Sequence, residues 1–446
     1  MSEGARFVAR FVWTAGGFLA SAAIRFGGNV TLAYLLAPDI LGVVLVVNAV
    51  RLGIELLTDV GIEQNIVHHR DGLDRRFRDT AWSLQVLRGA LLSAVFLLAA
   101  PLLAHAYEID VRIFLVAAAS PLLGGLHSTA IFVLVKRLEV RRRNLFELAC
   151  EGLALVVQVL LALWLRSVWA PVFGLLAAVA IRSALSYTLP AARQRFRFDT
   201  EVATRIVAFG KWIALTSLVM YAANNLDRLY LGTVAPFAAL GVYGIARAIG
   251  ELPTTLARRM SYQIVFPALA GSTGDDLRVR MASMARIRLL VALALCAGLS
   301  LGATAADLLI GLVYDPRYAA AGWMLAVLLL GAPFAVLSNL NEALLLSAGK
   351  PLYSSLANLA RLATHALVLP LGYQMSGFPG AVIAAALTEA LHYVYIGVGL
   401  HRVRLTLWRQ DAAALGTALG VFLIALALRA QLDLGGPFQG MWDQAA

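Results

Sequence analysis

Arginines inside otherwise apolar segments are the residues of this sequence with the clearest chemical potential. The segments are about 20 residues long, which is the length that an α-helix needs to cross a membrane. An arginine at the membrane centre costs roughly 2.5–3.5 kcal/mol, so six facing lipid would cost on the order of 15–20 kcal/mol. That sum exceeds the stability of a typical domain, about 5–15 kcal/mol. These arginines must therefore pair with acids or line water: Arg25, Arg51, Arg88, Arg182, Arg247 and Arg361.

Acidic neighbours divide the six arginines into two groups. Arg51 and Arg247 each have a glutamate four residues further on, on the same helix face, namely Glu55 and Glu251. The other four have no acid three or four residues away: Arg25, Arg88, Arg182 and Arg361. Arginines without a partner imply an aqueous, positively charged cavity. A diphosphate group would suit such a cavity, because guanidinium binds phosphate oxygens in a bidentate manner.

Structural alternatives stay open for most of these residues. Arg88 and Arg182 lie about two turns from the ends of their segments, so their side chains can also reach the membrane surface. For Arg361 the alternative is a helix-packing network, and Arg228, near the end of its segment, is predicted to be interfacial. Structural ion pairing is the alternative wherever an acid follows four residues later, in Arg51/Glu55 and Arg247/Glu251.

Acids inside the apolar segments are candidates for ion coupling or for pairing with the arginines: Glu55, Glu251 and Glu389. Glu389 lies near the middle of its segment, with His392 one turn later. A carboxylate at this depth can carry a proton or a sodium ion in a transporter. The interpretation that we favour is that Glu389 pairs with Arg361 on the preceding helix.

Membrane-spanning helices are the elements that must position these side chains. Of 446 residues, 60% are hydrophobic and 14% are charged, against about 25% charged residues in soluble domains. The first apolar segment lacks a cleavage site and is predicted to be a retained helix. We predict thirteen spans, at 12–36, 40–62, 80–103, 111–135, 146–166, 170–190, 206–231, 237–260, 286–312, 319–346, 352–372, 378–400 and 411–430.

The distribution of basic residues predicts the topology. Most of the 37 lysines and arginines lie in breaks on one side of the predicted membrane. The opposite breaks hold Arg112, Arg166 and Arg317. Because positively charged loops stay in the cytoplasm, the N-terminus is predicted to be cytoplasmic. The net charge of +11 is therefore a topology signal, and we predict no nucleic-acid partner.

Enzyme chemistry is not indicated by any residue cluster in the sequence. Cys150 and Cys296 both lie in apolar segments, so they suggest neither a disulfide framework nor a metal site. His68 and His69 share a loop with aspartates and three arginines, which we interpret as a solvated, self-neutralising loop. We therefore predict no catalytic residue, no metal and no cofactor, and we predict that the protein is not an enzyme.

An internal repeat relates the two halves of the chain. The motif LGV occurs at 41–43 and again at 240–242, and each copy is followed by an Arg/Glu pair four residues apart. Further on, Ile66-Val67 is matched by Ile264-Val265. Six spans per half predict parallel repeats, which usually enclose a central pathway. We predict an N-terminal six-helix bundle at 1–200, a C-terminal six-helix bundle at 201–402, and an extra span with a periplasmic tail at 403–446.

Several motifs together resemble the bacterial polysaccharide transporters, of the superfamily that also holds multidrug extruders and the peptidoglycan-precursor flippase. In the second half they are NLDRLYLG at 225–232, LGVY at 240–243, ELP at 251–253 and VFP at 265–267. LLAP at 35–38, DVG at 59–61, SAGKP at 347–351, Gly377 and Gly380 agree with them. The resemblance covers roughly residues 10–400. Family members usually have twelve or fourteen spans, whereas thirteen are predicted here.

The resemblance implies an all-α polytopic membrane protein with two parallel six-helix bundles around a central cavity, plus about one extra C-terminal span. It implies a flippase of the bacterial inner membrane that moves an isoprenoid-diphosphate-linked oligosaccharide to the periplasmic leaflet by alternating access. The implied partners are this lipid-linked substrate, membrane lipids, and a polysaccharide polymerase and co-polymerase. The alternatives are a multidrug extruder of the same superfamily, or a membrane-embedded polysaccharide polymerase or ligase.

Overall fold

The computed structural model describes residues 3–58, 61–261 and 274–442, and these residues form α-helices joined by short loops. Short 3-10 helices cover Arg70–Leu73 and Pro316–Tyr318. In chain order the α-helices are α1 (Glu3–Leu35), α2 (Pro38–Leu56), α3 (Ile62–His68), α4 (Arg75–Tyr107), α5 (Val111–Ala117), α6 (Ser120–Gly125), α7 (Ala130–Lys136), α8 (Val140–Leu165), α9 (Trp169–Ser186), α10 (Thr200–Val234), α11 (Phe237–Met260), α12 (Gly274–Thr304), α13 (Ala306–Val313), α14 (Ala321–Ser347), α15 (Pro351–Val403) and α16 (Trp408–Gln431).

Seven of the described helices are long and apolar enough to cross a membrane on their own. They are α4, α8, α9, the Ser283–Thr304 part of α12, α14, α15 and α16. A bent pair, Val111–Gly125 with Ala130–Lys136, adds an eighth candidate. α1, α2, α10 and α11 lie on four further predicted spans and carry charged residues inside. The predicted class, an all-α polytopic membrane protein, is confirmed.

The fourth predicted span, 111–135, is not one straight helix but α5, α6 and α7, with a bend of 54°. Pro121 lies in the first turn of α6, and the polar residues 127–129 lie shortly after its C-terminal glycines. Backbone groups at the break need partners, because lipid supplies none. Gln85 Nε2 donates to the carbonyl oxygens of Gly125 and His127, each at 2.9 Å. Hydropathy alone does not reveal such a break, because the residues on both sides of this short polar stretch are apolar.

The eleventh and twelfth predicted spans form the two helical segments of α15, which meet at a kink. Ser376 and Gly377 have non-helical backbone angles, and Gly377 has φ +63°. This left-handed conformation favours glycine, because a Cβ would be strained there. The chain also comes close to itself beside the kink: a Cβ on Gly380 would lie 1.9 Å from the carbonyl oxygen of Gly372. Glycines thus allow the two segments of α15, 351–375 and 378–403, to pack closely where the helix bends.

Contacts divide the described chain into two compact units. The first comprises Met1–Tyr221 and Gly232–Ala238, and the second comprises Ala222–Leu231 and Ala239–Ala446. α10 therefore contributes to both. In the first unit, α8 packs against α1 and α9, and α4 packs against α5 and α6. In the second unit, α14 packs against α12, α13 and α15 and is buried on almost every side.

The last helix, α16, is fastened to the second unit near both of its ends. At its start, Asp411 Oδ1 accepts from Arg288 Nη2 of α12 at 2.7 Å, and both side chains are buried. Asn341 and Tyr393 donate to the other carboxylate oxygen of Asp411 at 2.9 and 3.0 Å. At its end, Arg429 forms a bidentate pair with Asp307 of α13 at 2.7 and 2.6 Å. The extra span is therefore an integral part of the second unit.

Candidate functional site

Three of the six predicted arginines line one cavity in the first unit. Its volume is about 460 Å³, within the usual range of ligand pockets, about 300–1,000 Å³. Arg51 comes from α2, Arg88 from α4 and Arg182 from α9. The other polar residues of the lining are Glu55, Glu63, Gln64, Gln85, His127 and Ser183. Arginines far apart in sequence thus converge on one space, as a site for an anionic group requires.

Arg51 is held by its own helix. Its Nη1 donates to Glu55 Oε1 at 2.6 Å, which confirms the predicted local pair. Its Nη2 and Nε donate to Asn48 Oδ1 at 2.9 and 3.2 Å. These bonds fix the planar guanidinium group, and 12% of the side chain is exposed. The part of the Arg51 side chain that stays exposed lines the cavity.

Arg88 links α4 to the C-terminal end of α2. It donates to the carbonyl oxygen of Glu55, in the last turn of α2, and its Nε donates to Thr58 Oγ1 at 3.2 Å. A cation is favourable there because the C-terminal carbonyl groups of a helix carry partial negative charge. The neighbouring residue, Gly89, allows α6 to come close: a Cβ on it would lie 2.6 Å from the carbonyl oxygen of Pro121. This close crossing places Arg88 at the cavity wall.

Arg182 forms an ion pair across helices. Both of its terminal nitrogens donate to the carboxylate of Glu147 on α8, and Nη2 lies 2.8 Å from Oε1. Its guanidinium also lies over the Phe146 ring, 5.9 Å from the centroid. The side chain is nevertheless 41% exposed. The expectation that Arg182 lacks an acidic partner is wrong, because the partner lies 35 residues away on the adjacent helix.

Arg25 does not line this cavity, but like Arg182 it forms an ion pair with a glutamate of α8. Its Nη2 donates to Glu151 Oε1 on α8 at 2.6 Å, while Ser21 Oγ donates to the other oxygen at 2.6 Å. The absence of an acidic partner that was expected for Arg25 is therefore also wrong. The Arg25 side chain is 69% exposed. An exposed charge in the middle of an apolar helix indicates a surface that faces water, because facing lipid would be costly.

Arg247 and Arg361 lie in the second unit, in a network of buried polar residues. Arg247 Nε donates to Glu251 Oε1 at 2.8 Å, which confirms the predicted pair, and lies 3.5 Å from Asp227 Oδ2. Arg361 pairs with Glu389, as the favoured interpretation predicted, and no acid lies three or four residues from it. Arg361 Nη1 also donates to Asn224 Oδ1 at 3.3 Å.

Arg228, which the sequence predicts to be interfacial, belongs to the same network. Its Nη2 donates to Glu251 Oε1 at 2.9 Å and its Nη1 to Asn225 Oδ1 at 2.9 Å. The neighbouring Asp227 is buried and was not singled out from the sequence. It accepts from the Tyr243 hydroxyl group. A charged pair, Asp227-Arg228, inside a predicted span was the signal that could have revealed this cluster.

The charge of the first-unit cavity is more balanced than the sequence suggested. In the described lining, three arginines stand beside the carboxylates of Glu55 and Glu63. The expected excess of positive charge is therefore local, at the arginine side chains themselves. Residues 59 and 264–267, which contributed to the motifs, lie outside the described part of the chain.

Comparison with known proteins shows which family this chain belongs to. The family model described as "Polysaccharide biosynthesis protein" matches residues 31–321, well over half of the chain. The chain belongs to this family. The match contains the three cavity arginines Arg51, Arg88 and Arg182, as well as Arg247. The predicted relation to polysaccharide transporters is therefore confirmed.

Among curated relatives of this polysaccharide biosynthesis protein is the teichuronic acid biosynthesis protein TuaB of Bacillus subtilis (strain 168). The two are 23% identical over 350 residues, which is 77% of this chain and 70% of TuaB.

Solved structures with a similar fold include the lipid II flippase MurJ in an inward closed conformation. The TM-score is 0.73, at 10% identity, over 94% of this chain and 93% of MurJ. An inward-facing multidrug resistance MATE family transporter of the MOP superfamily gives a TM-score of 0.63 at 15% identity, over 88% of this chain and 95% of the transporter. At these identities the likeness establishes the fold, which is that of MOP superfamily transporters.

Proposed function

We propose that this protein is a flippase that moves an isoprenoid-diphosphate-linked oligosaccharide from the cytoplasmic to the periplasmic leaflet by alternating access. The observation that carries the proposal is the convergence of Arg51, Arg88 and Arg182 on one cavity. Membership of the polysaccharide biosynthesis family and the fold shared with a lipid II flippase support it. The protein then acts as a transporter of the bacterial inner membrane and not as an enzyme.

The arginine contacts suggest how a diphosphate is taken up. Arg182 is bound to a carboxylate yet partly exposed, so an entering phosphate can compete with Glu147 for the same guanidinium edge. Guanidinium forms bidentate bonds with both groups, and the phosphate adds charge. In the unloaded protein the acids keep the arginines from being buried without a partner, which would cost several kcal/mol. Arg25, exposed on α1, supplies a further contact for an anionic substrate in this proposal.

A deletion strain tests the proposal directly. Without the protein, a diphosphate-linked oligosaccharide should accumulate on the cytoplasmic leaflet, because its synthesis continues while its export stops. Mass spectrometry of lipid extracts measures the accumulation, and expression of the intact protein should reverse it. An unchanged lipid pool together with lost drug resistance would identify a multidrug extruder. Exported but unpolymerised repeat units would instead identify a polymerase or ligase.

The orientation of the protein is the second testable part of the proposal. We propose that the loops around Arg142 and Arg195 are cytoplasmic, because the basic residues are concentrated on that side. Single cysteines at these exposed positions, in a chain without Cys150 and Cys296, should resist a membrane-impermeant thiol reagent in spheroplasts. A cysteine at Arg317, on the opposite side, is the matched control and should react. Reaction at 142 or 195 in intact spheroplasts would contradict the topology.

A further inference from the structure

The buried polar network of the second unit joins three helices. Asp227 and Arg228 come from α10, and Tyr243, Arg247 and Glu251 from α11. The two segments of α15 add a residue pair each: Arg361 and His365 precede the kink, and Glu389 and His392 follow it. Direct contacts connect the charged members, namely Asp227 with Arg247, Arg247 and Arg228 with Glu251, and Arg361 with Glu389.

Charge in this network is balanced when the histidines are neutral. The three arginines, Arg228, Arg247 and Arg361, face the three carboxylates of Asp227, Glu251 and Glu389. Each carboxylate contacts an arginine, so its charge is already compensated. His365 and His392 are the remaining ionisable side chains of the cluster, and histidine is the residue type whose ordinary pKa lies near neutral pH.

Several buried atoms in the network lack a hydrogen-bond partner among the described residues. His365 is 3% exposed, and neither of its ring nitrogens is bonded. The same holds for Nε2 of His392, which is 6% exposed, and for Asp227 Oδ1. A buried polar atom without a partner costs about 1–3 kcal/mol. A concentration of such atoms around two imidazoles leaves ring nitrogens that are open to a proton or to a buried water.

Metal binding suits this donor set poorly. Among the described residues, no group of three or more His, Cys, Asp or Glu side chains is placed to hold a metal ion. A sodium ion would also have to take carboxylate oxygens from Arg247 or Arg361. A proton has no such requirement, because a single imidazole nitrogen binds it.

We propose that His365 is the binding site of the proton that drives transport, with His392 as a second station for the same proton. Burial opposes a charged His365 most strongly, and Arg247 and Arg361 oppose it as well, whereas Asp227 and Glu389 stabilise it. His392 likewise faces Glu389 and Arg361. The opposing influences leave the proton loosely held, so it can be released again. The role of this proton in transport rests on the proposed flippase function, whereas the binding of the proton to His365 does not.

The kink in α15 converts proton binding into movement in this proposal. Adding one proton gives the balanced cluster a charge of +1, which a medium of low dielectric constant tolerates poorly. Rearrangement of the Arg361–Glu389 pair relieves this charge, and its two residues lie on opposite sides of Gly377. Because Gly377 adopts backbone angles that other residues avoid, it can serve as the hinge between the two segments.

Proton binding can be measured without any substrate. The full chain, labelled with ¹⁵N-histidine in liposomes, should show one imidazole signal that disappears in His365→Gln and that changes from neutral to charged as the pH is lowered. Asp227→Asn should move this transition to lower pH, because it removes a charge that stabilises imidazolium. His105→Gln, at an exposed position, should leave it unchanged. A His365 ring that keeps one charge state throughout, or that ignores Asp227→Asn, would overturn the site.

Coupling is measured in proteoliposomes that contain an isoprenoid diphosphate lipid as the probe. An imposed pH gradient should accelerate its translocation, and His365→Gln should abolish the acceleration but keep a slow rate that does not depend on the gradient. Translocation by the intact protein that ignores the pH gradient would overturn the proton site and leave the flippase standing. A titrating His365 in a protein that moves no isoprenoid diphosphate would overturn the flippase and leave the proton site standing.

Discussion

Arg182→Ala should lower export of the lipid-linked oligosaccharide roughly 10- to 100-fold, because it removes charge-assisted hydrogen bonds worth about 1.5–3 kcal/mol. Arg182→Lys should retain part of the activity, since the charge survives and the bidentate geometry does not. Glu147→Gln should preserve export or increase it, because it weakens the group that competes with phosphate for Arg182. Export is measured as surface polysaccharide per unit of membrane-inserted protein.

The substitutions at Arg182 and Glu147 are expected to have different effects on export, so the test distinguishes substrate binding from a structural role. If the Arg182–Glu147 pair only held α9 to α8, both substitutions would lower protein abundance together. Arg112→Ala, at an exposed position at the start of α5, is the matched control and should change neither export nor abundance. Equal losses of abundance in Arg182→Ala and Glu147→Gln would show that the pair is structural and would remove Arg182 from the substrate site.

Asp411→Ala should destabilise the second unit by about 3–5 kcal/mol, because it leaves Arg288 buried without its counter-ion. Arg288 and Asp411 are both almost fully buried, and Asn341 would lose an acceptor as well. Replacing both charges, Arg288→Met with Asp411→Leu, should recover most of the stability, since a buried pair is often no better than apolar side chains. Cys296 of the second unit is buried, so in a chain without Cys150 the temperature at which it reacts with a thiol-specific dye reports unfolding of this unit.

An exposed ion pair provides the control for this prediction. Asp315 accepts from Arg317 Nε at 2.8 Å outside the membrane-spanning helices, and this hydrogen bond holds the pKa of Asp315 below its ordinary value. Solvent screens such a pair, so Asp315→Ala should shift the unfolding temperature little. An Asp411→Ala protein as stable as the Asp315→Ala protein would contradict the proposed role of the buried pair.

Local charge pairs could be predicted from the sequence because their spacing is set by the helix itself. Arg51/Glu55 and Arg247/Glu251 follow the four-residue rule, and the structure confirms both. Arg361 with Glu389 could be predicted because short connections make consecutive helices neighbours. The positions of the long apolar helices along the chain followed from hydropathy for the same reason: each depends on its own segment alone.

Pairs between helices that are distant in sequence could not be found in this way. Arg25 binds Glu151 on α8, and nothing in the spacing specifies that α8 lies beside α1. Arg182 of α9 binds Glu147 on α8, the preceding helix, so the rule for consecutive helices could have predicted this pair. One usable signal was overlooked: Glu147 and Glu151 are four residues apart and thus present two acids on one face of α8. The break between α6 and α7 was also hidden, because it depends on Gln85 reaching carbonyl groups from α4.

The two ion pairs that hold α16 in the second unit have a consequence for the synthesis of this protein. Arg288 and Asp411 are 123 residues apart, and Asp307 and Arg429 are 122 apart. At about 5–20 residues per second, translation needs roughly 6–25 s to produce the second partner of each pair. During that interval, Arg288 of α12 and Asp307 of α13 lack their partners on α16, so their charges are uncompensated. The second unit therefore reaches its final structure only after the last helix has been synthesised. Membrane chaperones that shield polar helices can act before then.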